Sequence, residues 1–360
     1  MTVTHRTSLG PDAAPGATGA PSRVRRARSL PLRRVLGAVL ALALLVIVVM
    51  LSLMVGSRDI PLATVWGALA GTDHSADAGV VTSLRIPRTL LGLLVGAALG
   101  VAGALIQAVT RNPLADPGIL GVNAGAAFAV AIGVGVFGVT APGSYVWFAF
   151  GGALVTTVVV YLIGSVGRGS VSPAQLTLAG VALGAVLSGI TSALLLADQE
   201  NFSVIRAWEA GSFADRGVDV LVSTAPFLGL ALVLALCLGP ALNAVALGED
   251  LAHALGAKVL TTRVLSLVAI TLLAGGATAM AGPVAFVGLM IPHVARWIVG
   301  PDHRWILAYS LLLAPILTVA SDVLGRVILP TGEMQVGIVT AFLGAPVLVL
   351  LVRRQRVSGL

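Results

Sequence analysis

Apolar runs about as long as a bilayer is thick follow one another from Val35 almost to the end of the chain. They centre on residues 35–55, 88–109, 119–138, 145–166, 174–197, 219–239, 262–281, 284–299, 305–325 and 336–352. In hydrocarbon, every backbone N–H and C=O of such a run must be satisfied within the protein, and a helix does this inside its own segment. Composition agrees: 57 % of residues are hydrophobic and 10 % charged, against about 25 % charged in soluble domains. A water-soluble core could not hide that much apolar surface. The chain therefore reads as an all-α polytopic membrane protein of about ten transmembrane helices.

The third and eighth runs are short and broken by Gly or Pro. Glycine is abundant, at 43 residues, and small residues let helix backbones approach closely in membranes. Gly92, Gly96 and Gly100 in the second run, and Gly180, Gly184 and Ser188 in the fifth, recur every fourth residue. Each set lies on one helix face and suits helix contact. Gly96, Ala98, Ala102, Gly103 and Pro113 recur 179 residues later as Gly275, Ala277, Ala281, Gly282 and Pro292. Five helices separate the copies, so this reads as an inverted internal repeat, the kind on which alternating access is built.

Residues 1–32 are rich in Pro, Gly, Ala, Ser and Arg without periodicity. They read as a disordered basic cytoplasmic tail, with residues 33–360 as the transmembrane domain. The run from Val35 to Val55 is longer than a signal-peptide core, so it reads as an uncleaved first helix. With both termini inside, sixteen Lys and Arg residues fall on the cytoplasmic side and six on the other, as the positive-inside rule expects. Trp147, Trp208, Trp297 and Trp305 fall at run ends, where indole rings favour the interface. The net charge of +7 is spread over chain ends and run boundaries, which argues against nucleic acid as a partner. The single Cys237 lies in an apolar run and reads as a packed core thiol.

Five stretches stand out. Thr110 to Gly118 is a break whose Pro113 and Pro117 prevent a continuous helix, with Asn112, Asp116 and Gly118 around them. Residues 246–258 read as a short amphipathic helix: Glu249 and Asp250 suit its N-terminus and Gly256 its stop, with Lys258 just beyond. Arg85-Ile-Pro-Arg88 opens the second run on the outside, where positive charge opposes both the helix dipole and the charge rule. Arg326 ends the ninth run with Asp322 four residues earlier, a spacing that permits an ion pair. Finally, Ala281 to Arg304 holds Gly282-Pro283, Gly288, Pro292-His293 and Arg296 within an apolar hairpin.

Absences narrow the function. The chain has no G-x-x-x-x-G-K-[ST] nucleotide loop, no Ser-His-Asp arrangement, and no metal-ligand spacing among its five His residues. Asp322 is the one acid placed inside a run. Ion-coupled transporters use buried titratable groups, so a secondary transporter is the weaker alternative.

These stretches, in this order, resemble the FecCD-type permeases, the membrane subunits of ABC importers for iron-siderophore, haem and cobalamin. The resemblance runs from about residue 35 to 352 and is carried by GAALGVAGALIQ (96–107), Asn112-Pro-Leu-Ala-Asp-Pro-Gly118, ILGVNAGAA (119–127) and the 281–304 hairpin. It implies a transport subunit with no enzymatic chemistry or cofactor of its own, in a bacterial cytoplasmic membrane. It implies two cytoplasmic ATPase subunits, a second permease, identical or paralogous, and an extracytoplasmic substrate-binding protein. The path would run between the permeases, lined mainly by the fifth and tenth spans. Glu249, Ala252 and Gly256 match the loop that couples to the ATPase, though Asp250 and Leu251 depart from its usual Ala. Arg85 and Arg326, with Arg88 beside them, match positions that meet acidic residues of the binding protein. The cargo it points to is a ferric siderophore, with cobalamin or haem as the alternative.

Overall fold

The computed structural model describes residues 30–139, 141–165, 173–197, 205–206, 208–214, 216–329 and 332–357. Of the expected tail, residues 1–29 lie outside the described residues, and Leu30 to Leu32 already belong to the first helix. The chain order is α1 (Leu30–Met54), α2 (Leu62–Ala70), α3 (Ala76–Val80), a π-helical turn (Val81–Arg85) and α4 (Ile86–Thr110). A 3-10 turn (Pro117–Leu120) precedes α5 (Val122–Gly135), α6 (Pro142–Gly164) and α7 (Pro173–Ala197). Then come α8 (Val218–Cys237), α9 (Gly239–Ala246), α10 (Glu249–Ala254), α11 (Val259–Ala281), α12 (Val287–Val299), α13 (His303–Ile328) and α14 (Val336–Val357). No strand occurs among the described residues.

Seven of these helical runs are long and apolar enough to cross a membrane, and α5, α12 and residues 336–350 of α14 are shorter apolar helices. Together they reproduce the expected order of ten. At 14 and 13 residues, α5 and α12 rise only about 20 Å, short of a hydrocarbon core about 30 Å thick. A loop with a 3-10 turn precedes α5, and irregular backbone precedes α12. Irregular backbone is tolerated at that depth only when protein covers it, and Ala115, Pro117, Ala281, Gly282 and Val284 are all buried.

Helix α4 is the hub, packing on α11, α12 and α13. Its glycine stripe explains why. Gly96 lies against Pro315 and Thr318 of α13, and Gly100 against Ala314 and Ser310. The Thr318 hydroxyl donates to the Gly92 carbonyl at 2.9 Å. A Cβ on Gly103 would sit 1.9 Å from the Gly288 carbonyl oxygen, so α4 and α12 touch backbone to backbone there. In the second glycine set only Gly180 makes such a contact, against the Ile119 carbonyl, while Gly184 has room and Ser188 is exposed.

The start of α1 meets the α12–α13 turn, where the Arg34 guanidinium donates to the Val299 carbonyl at 2.8 Å. Since α14 runs back from the far end of α13, the start of α1 and the end of α14 share one end of the bundle. That is the terminal end of the bundle, and the opposite one is the far end.

Four expectations need correction. The 179-residue offset matches α4 to α11 only in part: Gly96, Ala98 and Ala102 lie in α4 and Gly275, Ala277 and Ala281 in α11, but Gly103 lies inside α4 while Gly282 caps α11, and Pro113 is in a loop while Pro292 is inside α12. What recurs is a long–short–long order, α4–α5–α6 and α11–α12–α13. Trp208 is not an interfacial ring; it is buried, with its indole N–H directed at the Ala279 carbonyl. Cys237 is exposed rather than packed. Arg85 does not open a helix. Helical backbone runs on from Ala76, and the π turn, in which the Ile86 N–H reaches the Val81 carbonyl, eases Pro87, which cannot donate, into it.

Candidate functional site

At the terminal end, α9 and α10 form a protruding elbow. Gly248, at φ +113°, turns the chain into α10, and that backbone conformation favours glycine. At the other end the Gly256 N–H donates to the His253 carbonyl and the Ala257 N–H to the Ala252 carbonyl, both at 2.9 Å. With Gly256 at φ +78°, this is a Schellman stop. Ala252 is fully buried in a small apolar cluster with Val245 and Val259. The opposite face carries Leu247, Leu251 and Leu255, all exposed. Leu247 closes α9, Leu251 lies within α10 and Leu255 follows its last turn, so together they leave the elbow with an apolar surface. An apolar ridge at the polar end of a membrane protein marks an interaction surface. Of the sequence-derived trio, Ala252 holds the elbow together, Gly256 ends it and Glu249 begins it; the Glu249 side chain lies outside the described residues.

The two motif-rich breaks meet behind this elbow. The Asn112 carboxamide oxygen accepts from the Leu114 N–H at 3.0 Å, and the Asp116 carboxylate caps the Pro117–Leu120 turn through the Gly118 N–H at 2.8 Å. The Gln107 amide donates to the Ala115 carbonyl in this loop at 3.3 Å and to the Gly288 and Leu289 carbonyls of α12 at 3.3 and 3.1 Å. Its oxygen accepts from Arg296. Arg296 also meets the His293 ring at 3.4 Å, and His293 stands edge-on to Trp297. Gly288 leaves room for Gly103 and faces Pro117. Pro292 lies inside α12 and Pro283 in the hairpin before it, while Pro113 is half-buried in the loop. These motif residues thus build a helix-packing node rather than a cavity. Arg111, which the sequence did not single out, ties the node to the elbow by donating to the Val245 carbonyl at 2.9 Å.

At the far end, the three arginines expected to face outward are turned inward. Arg85 and Arg326 are buried. Arg85 donates to the Leu53 carbonyl at 2.8 Å and to that of Arg58. Arg326 donates to the Ser52 carbonyl at 2.9 Å and pairs with Asp322. Arg88 holds Asp322 at 2.8 Å and Glu333 at 2.7 Å. The expectation that Arg85 needs an external anion is corrected: the open carbonyls at the end of α1 occupy it. Capping those carbonyls with a cation is favourable. Asp322, four residues before Arg326, is shared by two guanidiniums, one of which the sequence spacing did not reveal.

The profile of the FecCD transport family matches residues 44–354. The chain belongs to the FecCD transport family. The ferric enterobactin transport system permease protein FepD of Escherichia coli (strain K12) is 51 % identical to this FecCD chain over 319 residues, covering 88 % of it and 95 % of FepD. The Fe(3+)-citrate import system permease protein YfmD of Bacillus subtilis (strain 168) is 38 % identical over 323 residues, covering 90 % and 96 %. Among solved structures, an inward-facing metal-chelate type ABC transporter superposes with a TM-score of 0.78 at 28 % identity, covering 88 % of this chain and 98 % of that one. This FecCD protein is accordingly an all-helical, multi-pass permease subunit of an ABC importer, a transport component with ATP hydrolysis on a separate subunit.

Proposed function

We propose that this permease moves a ferric siderophore across a bacterial cytoplasmic membrane. The observation that carries the cargo is the 51 % identity to a ferric enterobactin permease along almost the whole of both chains. The terminal end then faces the cytoplasm, in keeping with the sixteen-to-six charge distribution. The elbow of α9 and α10 is the seat for one of two ATPase subunits. Its leucine ridge supplies the apolar contact, Ala252 and Gly256 hold its shape, and Glu249 stands at its head. A second permease, identical or paralogous, completes the channel between the exposed faces of α7 and α14. A binding protein delivers the chelate to the far end. There Arg85, Arg88 and Arg326 serve docking from beneath, by holding α1, α4 and α13 in register under the landing surface.

Deleting the gene is expected to abolish uptake of radio-iron presented as a ferric catecholate siderophore, with cobalamin uptake intact. Loss of cobalamin uptake with ferric-siderophore uptake unchanged overturns the cargo assignment.

A further inference from the structure

We propose that α2 is an in-plane anchor that lies in the headgroup layer of the bilayer and contacts lipid through Leu62, Trp66 and Leu69. None of its nine residues is charged. Val65 and Ala68 are buried in a small cluster with Leu53, Ile60, Ala78 and Val81. The remaining face is apolar and open: Leu62 is 44 %, Trp66 57 % and Leu69 46 % exposed. Positions 62, 66 and 69 fall on one side of a helix. Polar residues bound the element on both sides, Arg58 and Asp59 before it and Thr72, Asp73 and His74 after it.

The depth of this face selects lipid as its occupant. The buried charge cluster of Arg85, Arg88, Asp322 and Arg326 marks the far edge of the hydrocarbon, because charges are costly deeper. Ser52 bonds Arg326 in that layer, and its neighbour Leu53 belongs to the cluster under α2. Val81 and Ala78, which complete the floor of α2, lie four and seven residues before Arg85 in the same helical run. That places α2 about 6–10 Å beyond the charged layer at a helical rise of 1.5 Å per residue. The interfacial zone is about 5–8 Å deep on each side, and it is where indole rings concentrate. At the adjoining level further apolar side chains are open, Leu84 of the π turn at 64 % and Leu51 of α1 at 43 % exposure. In water the same face would leave three large apolar side chains uncovered; at the interface their burial offsets that cost.

The test uses the assembled transporter in lipid nanodiscs. Single cysteines at 62, 66 and 69 in a Cys237→Ser background carry spin labels, with residue 84 as the lipid control and residue 73 as the water control. Accessibility to oxygen is expected to exceed that to a water-soluble nickel chelate several-fold at 62, 66 and 69, with depths shallower than at 84. In parallel, lipids brominated near the carbonyl are expected to quench native emission more in the wild type than in Trp66→Phe, which keeps an aromatic ring at that site. Nickel accessibility like that of residue 73, or equal quenching in both proteins, overturns the proposal. So does immobilisation of the label at 66 by saturating binding protein with loss of both collision partners, which would assign the face to protein docking instead.

Discussion

Asp322 is the residue on which the far end turns. It is buried and shared by Arg88 and Arg326, which reach it from different helices. Removing one member of a buried ionic cluster leaves the others unpaired and costs about 3–5 kcal/mol. Asp322→Ala is therefore expected to lower the thermal midpoint of the purified permease and its abundance in membranes. Asp322→Asn, which keeps the shape and one acceptor, should lose less. Arg58 and Asp77 form an ion pair at 3.3 Å on the same end, but Arg58 is exposed. Such a pair contributes about 0–1 kcal/mol, so Asp77→Ala should leave the midpoint unchanged within error. Equal effects from the two alanine variants would contradict the reading of the cluster as the structural clamp.

At the scale of the element, the elbow of α9 and α10 separates a stability face from a contact face. Leu251 and Leu255 are exposed while Ala252 between them is buried. Leu251→Asp and Leu255→Asp should leave the fold intact yet reduce co-purification of the ATPase subunits and ATP-driven uptake. Ala252→Asp places a charge in the Val245–Val259 cluster and should lose folded protein instead. Gly256→Ala keeps the ridge and strains the left-handed stop by about 1–2 kcal/mol, so it should weaken coupling without abolishing it. Normal ATPase retention and uptake in both leucine variants would remove the elbow from the coupling role.

For the whole molecule, the shared end of α1 and α14 becomes a test of sidedness. Single cysteines at residues 254 and 357, in a Cys237→Ser background, should resist an impermeant maleimide added to whole cells and react after the membrane is opened. A cysteine at residue 73, on the opposite end of the bundle, should react from outside. Labelling of 254 or 357 in intact cells would invert the orientation and, with it, the assignment of the elbow to the ATPases.

Most of the membrane order was legible because hydrocarbon imposes a local rule: each run must be long, apolar and self-satisfied in hydrogen bonds. The ten helices of that order, the glycine face of α4 and the start and stop of α10 follow from rules acting within a few residues, and the structure has them where the sequence places them. The exposure of Leu247, Leu251 and Leu255 carries no such local signature, because the Gly248 turn interrupts their four-residue spacing. What the chain order could not convey is which distant groups meet. Trp208 at a run boundary looks interfacial until segments far along the chain cover it. Arg85 looks unpaired until the open carbonyls of α1 arrive beside it, 32 residues away in the chain. Arg88 and Asp322 are separated by 234 residues and share one bidentate contact. Helix formation is settled over one or two turns of chain, whereas the partner of a buried charge is chosen by packing, and only the folded bundle brings those groups within hydrogen-bond reach.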